Sequence, residues 1–286
     1  MSDDNDESRF STIPITSWAD FAAALASHDA RWIYRGQSSS NWALQTSFER
    51  TLNSWEIDLA GAPSIEHQLI RDFRRQYRGE HHLLVNSDRL LCLALMQHHG
   101  TPTRLLDFSY SPYVAAKFAI DQASKYGAIW CLNGRWCVEA VRGIVDEGMA
   151  RGRDTDASRT DSTFGPMYLN LETRKKFVYP ENPFHLNERL IVQRGLFLCP
   201  GDVSVPFVQN LTALNGCHLP ENIVKLCFNL DKTAVRDFAS NLRRMNVGSA
   251  TLFPGFDGFA RSFAERFFLY EELAARKPGE ADHQRP

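Results

Sequence analysis

The sequence predicts an α+β fold in a single domain, and three observations carry this. Segments with apolar residues at helical spacing come first and short extended patterns dominate the middle, so the chain does not alternate as a βαβ array would. No internal repeat and no clear linker divides the 286 residues. With 43% hydrophobic and 12% aromatic residues the chain can bury a substantial core, and a prior of about 100–200 residues per domain leaves room for one large unit. That unit is expected over residues 11–276, between a disordered acidic segment at 1–10 and a polar tail at 277–286.

Ser17, with Asp20 three residues later and then Phe21, Ala24 and Leu25, has the pattern of a capped helix ending near His28. Residues 31–36, containing Trp32, Ile33 and Tyr34, read as a strand. Turn signals at 38–41 and at Gly61-Ala62-Pro63 punctuate the mixed stretch 37–63. Ile65, Leu69 and Phe73 at spacing four predict a helix over 64–77, whose other face carries Arg71, Arg74, Arg75 and Arg78. Asn86 or Ser87 caps a second helix over 88–98, aligned on Leu90, Leu93, Ala94 and Gln97 and stopped by Gly100. Ser111-Pro112 is an N-cap followed by Pro at the first helical position, and that helix is expected to reach Lys125 and stop at Gly127. Residues 128–132 and 136–138 read as strands around an Asn133-Gly134 turn. Residues 151–163 hold no large apolar residue and read as a mobile loop. Strands follow at 190–198 and 224–230. Asp231 or Thr233 then caps a helix with Val235, Phe238, Leu242 and Met245, ended by Gly248. Residues 251–253 read as extended, and 258–276 as a helix with Phe259, Phe263 and Phe267 on one face.

Several function classes are excluded at this level. The formal net charge is -2, so there is no global electrostatic case for nucleic acid, although a local basic patch remains compatible with it. The N-terminus lacks a basic, then apolar, leader, and no run approaches the ~18 apolar residues of a membrane span, so a cytoplasmic protein with no membrane contact is expected. Cys92, Cys131, Cys137, Cys199, Cys217 and Cys227 show no C-x-x-C spacing and read as buried reduced thiols. The pairs His81-His82 and His98-His99 are adjacent, and neighbours on a helix point ~100° apart, so they are poorly placed to share a metal and none is expected. No glycine-rich nucleotide loop, H-E-x-x-H or G-x-S-x-G occurs.

The densest polar stretch is Gln97-His98-His99-Gly100-Thr101-Pro102-Thr103-Arg104-Leu105-Leu106-Asp107-Phe108-Ser109, running into Tyr110-Ser111-Pro112-Tyr113-Val114-Ala115-Ala116-Lys117-Phe118-Ala119. It reads as a short element presenting polar groups between two helices. The stripe Arg71, Arg74, Arg75 and Arg78 reads either as a solvated helix face or as a grip on nucleic-acid phosphates. Arg151, Arg153 and Arg159 would let the loop 151–163 close over a target, against the opposing charge of its Asp154, Asp156 and Asp161.

Four ordered segments carry a family resemblance. Trp32-Ile33-Tyr34-Arg35-Gly36-Gln37, the stretch just quoted, Arg189-Leu190-Ile191-Val192-Gln193-Arg194-Gly195-Leu196-Phe197 and Thr251-Leu252-Phe253-Pro254-Gly255-Phe256-Asp257-Gly258 together resemble the FRG domain, a bacterial family named for its Phe/Tyr-Arg-Gly motif. These motifs are in turn similar to a diverged ADP-ribosyltransferase layout. That layout has an aromatic-Arg-Gly strand, a Ser-Thr-Ser strand leading into a Ser-Pro-x-Val-Ala-x-x-Phe-Ala helix, and a third strand bearing a catalytic Glu. Ser111 to Ala119 matches the helix and registers Asp107-Phe108-Ser109 on the Ser-Thr-Ser positions, of which only Ser109 keeps its type.

The resemblance implies a split β-sheet core flanked by helices and an NAD-dependent ADP-ribosyltransferase, with NAD as co-substrate and no metal. Its acceptor would be a macromolecule, protein or nucleic acid, and a toxin or phage-defence setting would add an antitoxin or regulator as partner. Transfer breaks the bond between ribose and nicotinamide through an oxocarbenium-like state. The planar fork of Arg35 would hold pyrophosphate and Gly36 would allow close approach. Arg104 and Asp107 would complete the ligand wall, Ser109 would orient the ribose or support the acid, and Tyr110 or Tyr113 would stack on nicotinamide. Glu188 or Gln193 would bond the ribose hydroxyl, and only Glu would also offset developing charge.

Each assignment has a structural alternative. Arg35 and Asp107 can pair with one another, and Arg104 can be a buried anchor. Ser109 can satisfy backbone, Gln193 can sit at a sheet edge, Glu188 can be an exposed charge, and the tyrosines can belong to the core. Two other functions therefore stand beside transfer: a non-catalytic nucleotide or nucleic-acid binding module, and an NAD glycohydrolase.

Overall fold

The computed structural model describes residues 9–79, 82–121, 125–145, 161–170, 172, 174–183 and 188–265. Among them the strands are β1 (Ser11–Ile15), β2 (Trp32–Gln37), β3 (Leu106–Ser109), β4 (Ala128–Asn133), β5 (Val178–Glu181), β6 (Gly195–Pro200) and β7 (Ile223–Phe228). They form one mixed sheet in the order β1-β7-β4-β2-β3-β6-β5. Only β1 and β7 run parallel; every other pair is antiparallel. The α+β class read from the sequence is the observed one.

Side chains alternate across the pleat, and each face has its own helical cover. Trp32 and Tyr34 of β2, Ile129 and Cys131 of β4, and Val224, Leu226 and Phe228 of β7 face one way. They meet α1 (Trp18–Leu25), α6 (Pro112–Ala119) and α11 (Lys232–Arg244) through Phe21, Ala115, Ala116, Ala119, Phe238 and Leu242. Ile33, Trp130 and Leu132 face the other way, into a larger core with Phe108, Leu196 and Leu198. That core is closed by α3 (Ala62–Gln76), α5 (Arg89–His98), α7 (Gly134–Val141) and α8 (Asp161–Tyr168). Local chemistry sets the helix starts. Ser17 and Asp20 form the capping box of α1, Ser111 caps α6 with Pro112 behind it, and Asp231 caps α11.

The sheet has one narrow joint. β2 pairs with β4 along its whole length, from Trp32↔Asn133 to Gln37↔Ala128, but with β3 at a single position, Tyr34↔Ser109. Beyond that pair the two strands part. α2 (Ser47–Ser54), the C-terminal end of α5 and the segment 100–105 converge on the opening.

Several elements differ from the sequence reading. Residues 136–138 lie in α7, not in a strand: Asn133 accepts a hydrogen bond from the Trp136 amide at 3.2 Å, so it caps a helix where a hairpin was expected. Residues 190–198 divide into α9 (Glu188–Val192), a turn with Arg194 at φ 49°, and then β6. Residues 251–253 close a short helix, α12 (Ser249–Leu252). Asp88, not Asn86 or Ser87, caps α5 by accepting from the Leu91 amide, and α4 (His82–Ser87) precedes it. α6 stops at Ala119, short of Lys125. The last described helix, α13, is Phe256–Ala264. β1, β5, α2 and α10 (Phe207–Thr212) carried no sequence assignment. The readings of 1–8, 151–160 and 266–286 lie outside the described residues, while 161–163 of the expected loop open α8. No disulfide joins the six cysteines among the described residues; five are buried and Cys227 is half-buried.

Candidate functional site

The alternation along β2 separates the Tyr34-Arg35-Gly36 motif onto two faces. Tyr34 packs in the α1/α6/α11 layer. A Cβ built on Gly36 would stand 1.9 Å from the Ala115 carbonyl oxygen and 2.9 Å from the Ala119 nitrogen. The space beside Gly36 is therefore filled by α6, and the glycine admits the helix. Arg35 leaves on the opposite face, at the joint. Its Nη1 donates to the main-chain carbonyl of Asp107 at 2.8 Å, while its Nε is shielded from solvent and has no hydrogen-bond partner among the described residues. A buried donor left in that state costs about 1–3 kcal/mol. Burial pushes the Arg35 guanidinium below its ordinary value; the Asp107 charge opposes this and the Arg50 charge adds to it.

Arg35 lines a cleft of about 150 Å³ together with Ser47, Arg50, Gln97, Thr101 and Asp107. Its far wall is pinned to α2. The Thr103 amide donates to the Ser47 hydroxyl at 3.0 Å, and the Phe48 amide donates to the Thr103 carbonyl at 3.1 Å. Arg50 donates through Nη1 to the Gln45 carbonyl at 2.7 Å and forms no ion pair among the described residues. The Gln97 amide donates to Asp107 Oδ1 at 2.8 Å and accepts from the Thr103 hydroxyl. Asp107 is exposed, and its Oδ2 has no hydrogen-bond partner among the described residues. Two guanidinium groups thus share a small concave surface with one carboxylate, an arrangement suited to an anion.

The other sequence candidates lie elsewhere. Arg104 is 1% exposed. Its Nε donates to Glu66 Oε1 at 2.7 Å, its Nη2 to Glu66 Oε2, and its Nη1 to the Pro200 carbonyl at 3.1 Å. Burial pulls this guanidinium down, but the Glu66 charge and hydrogen bonds outweigh that and hold it above its ordinary value. Ser109 donates to the Gln193 carbonyl at 2.7 Å and accepts from the Ser111 amide at 2.9 Å, stitching β3 to the turn before β6. Gln193 lies in that turn and its amide donates to the Leu252 carbonyl at 2.9 Å. Glu188 is exposed at the start of α9, not on a strand. β6 itself, Gly195 to Pro200, carries no acid. Tyr110 bonds Asn182 through its hydroxyl. Tyr113 stacks on Trp18 with ring centroids 6.2 Å apart, on the face of the sheet away from the cleft.

Arg71, Arg75 and Arg78 are exposed and Arg74 half-buried on α3 and just past its end. Arg74 reaches Asn86, and Arg78 donates to the Arg75 and Tyr77 carbonyls. None of the four lines the cleft. Among the described residues no group of three His, Cys, Asp or Glu could hold a metal ion, and no helix is long and apolar enough to cross a membrane.

The sequence reading missed Arg50 and Ser47. The signal was present: Thr46 and Glu49 have capping spacing, and the Thr46 hydroxyl accepts from the Glu49 amide at 3.1 Å. That cap sets α2, and α2 sets Arg50.

The family model of the FRG domain matches residues 30–127, a span that contains every residue lining the cleft but not the segments at 189–197 and 251–258. No curated protein and no solved structure matches the chain. Residues 30–127, which hold β2 through α6, are thus similar to the FRG domain over about a third of the chain.

Proposed function

We propose that the cleft between β2 and β3 binds a nucleotide by its phosphates, with NAD as the ligand and ADP-ribosyl transfer to a macromolecule as the activity. One observation carries the binding: a guanidinium that among the described residues has one protein hydrogen bond and an unpartnered Nε stands at the joint of the sheet beside a second guanidinium. An anion there relieves the Arg35–Arg50 repulsion and supplies acceptors to both. The choice of NAD and the split-sheet transferase architecture rest on the order of the four motifs and on the single-pair joint between β2 and β3, and a defence setting with an antitoxin follows by analogy alone. In this reading Arg35 and Arg50 hold pyrophosphate and orient the ribose for departure of nicotinamide.

A second reading is binding without turnover. It is favoured by the placements of Ser109 and Gln193, whose side chains bond backbone, and by the lack of an acid on β6.

Calorimetry with NAD, followed by assay of nicotinamide release with and without cell extract, separates the two. Wild type is expected to bind NAD, Arg50→Ala to weaken binding about tenfold, and Arg35→Ala to abolish it. Nicotinamide release with label on protein or RNA supports transfer, release with no labelled acceptor supports hydrolysis, and binding without release supports the second reading. Absence of NAD binding by wild type overturns the proposal.

A further inference from the structure

Asp107 is out of place in a site made only for an anion. A carboxylate beside bound phosphate weakens the binding by repulsion unless it has a task of its own. Neutralising Arg35 is not that task. Arg35 takes the main-chain carbonyl of Asp107 and not its carboxylate, and the carboxylate turns instead to Gln97. Gln97 is itself fixed, because its amide oxygen accepts from the Thr103 hydroxyl and Thr103 is held by Ser47 and buried at 1% exposure. The relay Ser47–Thr103–Gln97–Asp107 sets the carboxylate in one orientation at the cleft wall. Oδ1 is engaged, and Oδ2 is left as an acceptor with no protein donor among the described residues. An exposed, buttressed carboxylate of this kind accepts from neutral hydroxyl donors and repels anions.

We propose that Asp107 accepts the hydroxyl hydrogens of the sugar next to the bound phosphate, so that the cleft selects a ribose phosphate over its 2-deoxy counterpart. This rests on the phosphate-binding reading above. Arg35 and Arg50 supply affinity for the charged group; Asp107 supplies the discrimination, and Gln97 positions it.

The test is calorimetric titration of the full chain with ribose 5-phosphate and with 2-deoxyribose 5-phosphate, which differ by one hydroxyl. Wild type is expected to prefer the ribose form about tenfold or more, the range of a hydrogen bond to a charged acceptor. Asp107→Ala keeps the main-chain carbonyl that Arg35 uses. It is expected to bring the two affinities within about twofold while the 2-deoxy sugar binds as well as, or better than, it does to wild type. Gln97→Met is expected to lower the preference without abolishing phosphate binding. Equal affinities in wild type, or a preference that survives Asp107→Ala in a protein with wild-type circular dichroism, overturn the assignment of Asp107 and leave the phosphate reading standing. Failure of wild type to bind either sugar phosphate overturns both.

Discussion

Glu49, buried, and His28, half-buried, are titratable residues whose effects on stability run in opposite directions. Burial pushes Glu49 up to about 7 from an ordinary value of 4.5, against the lowering effect of the Phe207 amide that its Oε2 accepts at 3.0 Å. The native chain therefore keeps a proton between pH 4.5 and 7 that the unfolded chain gives up. Stability from this residue falls as pH rises through that window, by an amount on the order of 3 kcal/mol, and is level above it. Burial pushes His28 down to about 4 from 6.5, only partly offset by Asp29. Its ring stacks on Trp32 at 3.8 Å and its Nδ1 meets the Tyr34 hydroxyl at 3.3 Å. Here the unfolded chain takes the proton first, so stability is lost as pH falls from 6.5 towards 4. Urea midpoints measured across pH 4 to 8 should show Glu49→Gln more stable than wild type above neutrality, and His28→Phe without the acid-side loss. Parallel curves for wild type and both variants would contradict these assignments.

At the scale of elements, α6 comes unusually close to the sheet. Its inner face is Ala115, Ala116 and Ala119, and the sheet side meets it with two glycines. A Cβ on Gly36 would stand 1.9 Å from the Ala115 carbonyl oxygen, and one on Gly127 would stand 2.0 Å from that of Ala119. Gly36→Ala is therefore expected to cost about 3 kcal/mol by forcing backbone apart, read as a lower thermal midpoint, whereas Arg35→Ala is expected to lose much less stability and, under the proposed function, to lose ligand affinity. A Gly36→Ala protein that melts like wild type would show that α6 yields freely. The Tyr-Arg-Gly motif thus joins two tasks in adjacent residues: Gly36 seats the helix on one face while Arg35 addresses the cleft on the other.

At the scale of the whole molecule, the cleft exists because the two parts of the sheet meet at one residue pair and are clamped from behind. Arg104 and Glu66, 1% and 2% exposed, tie the segment before β3 to α3 and, through the Pro200 carbonyl, to the end of β6. Removing one partner strands a buried charge, so Arg104→Met alone is expected to cost about 3–5 kcal/mol, and adding Glu66→Leu to recover most of it. A double-mutant cycle in urea checks this, and additive losses would show that the two groups act independently. The outer strands of the sheet, β1 and β5, carry Pro14 and Pro180, which have no N–H to offer a further strand. Growth of the sheet is discouraged at both ends, and the cleft at the interior joint is where backbone pairing is left incomplete.

The sequence by itself determined the elements whose signals are local. α1, α6 and α11 were legible from their caps and from apolar residues at helical spacing, and β2, β4 and β7 from short apolar runs. It also pointed to the FRG motif and to 97–109 as the polar stretch. Where one local pattern serves two structures, only the tertiary structure decided. Asn133-Gly134 suits a hairpin corner as well as a helix cap, and packing of Cys137 and Val141 into the larger core selected the helix. The short edge strands β1 and β5 carry weak patterns and exist by pairing with β7 and β6. The site shows the same limit. Arg35, Arg50, Gln97 and Asp107 come from four elements, and no spacing in the chain records that they meet. Arg104 and Asp107 are three residues apart and looked equally available, yet one is sealed against Glu66 and the other stands open at the cleft. Which polar residue is spent on the core and which is presented to a ligand depends on burial, and burial is a property of the assembled fold.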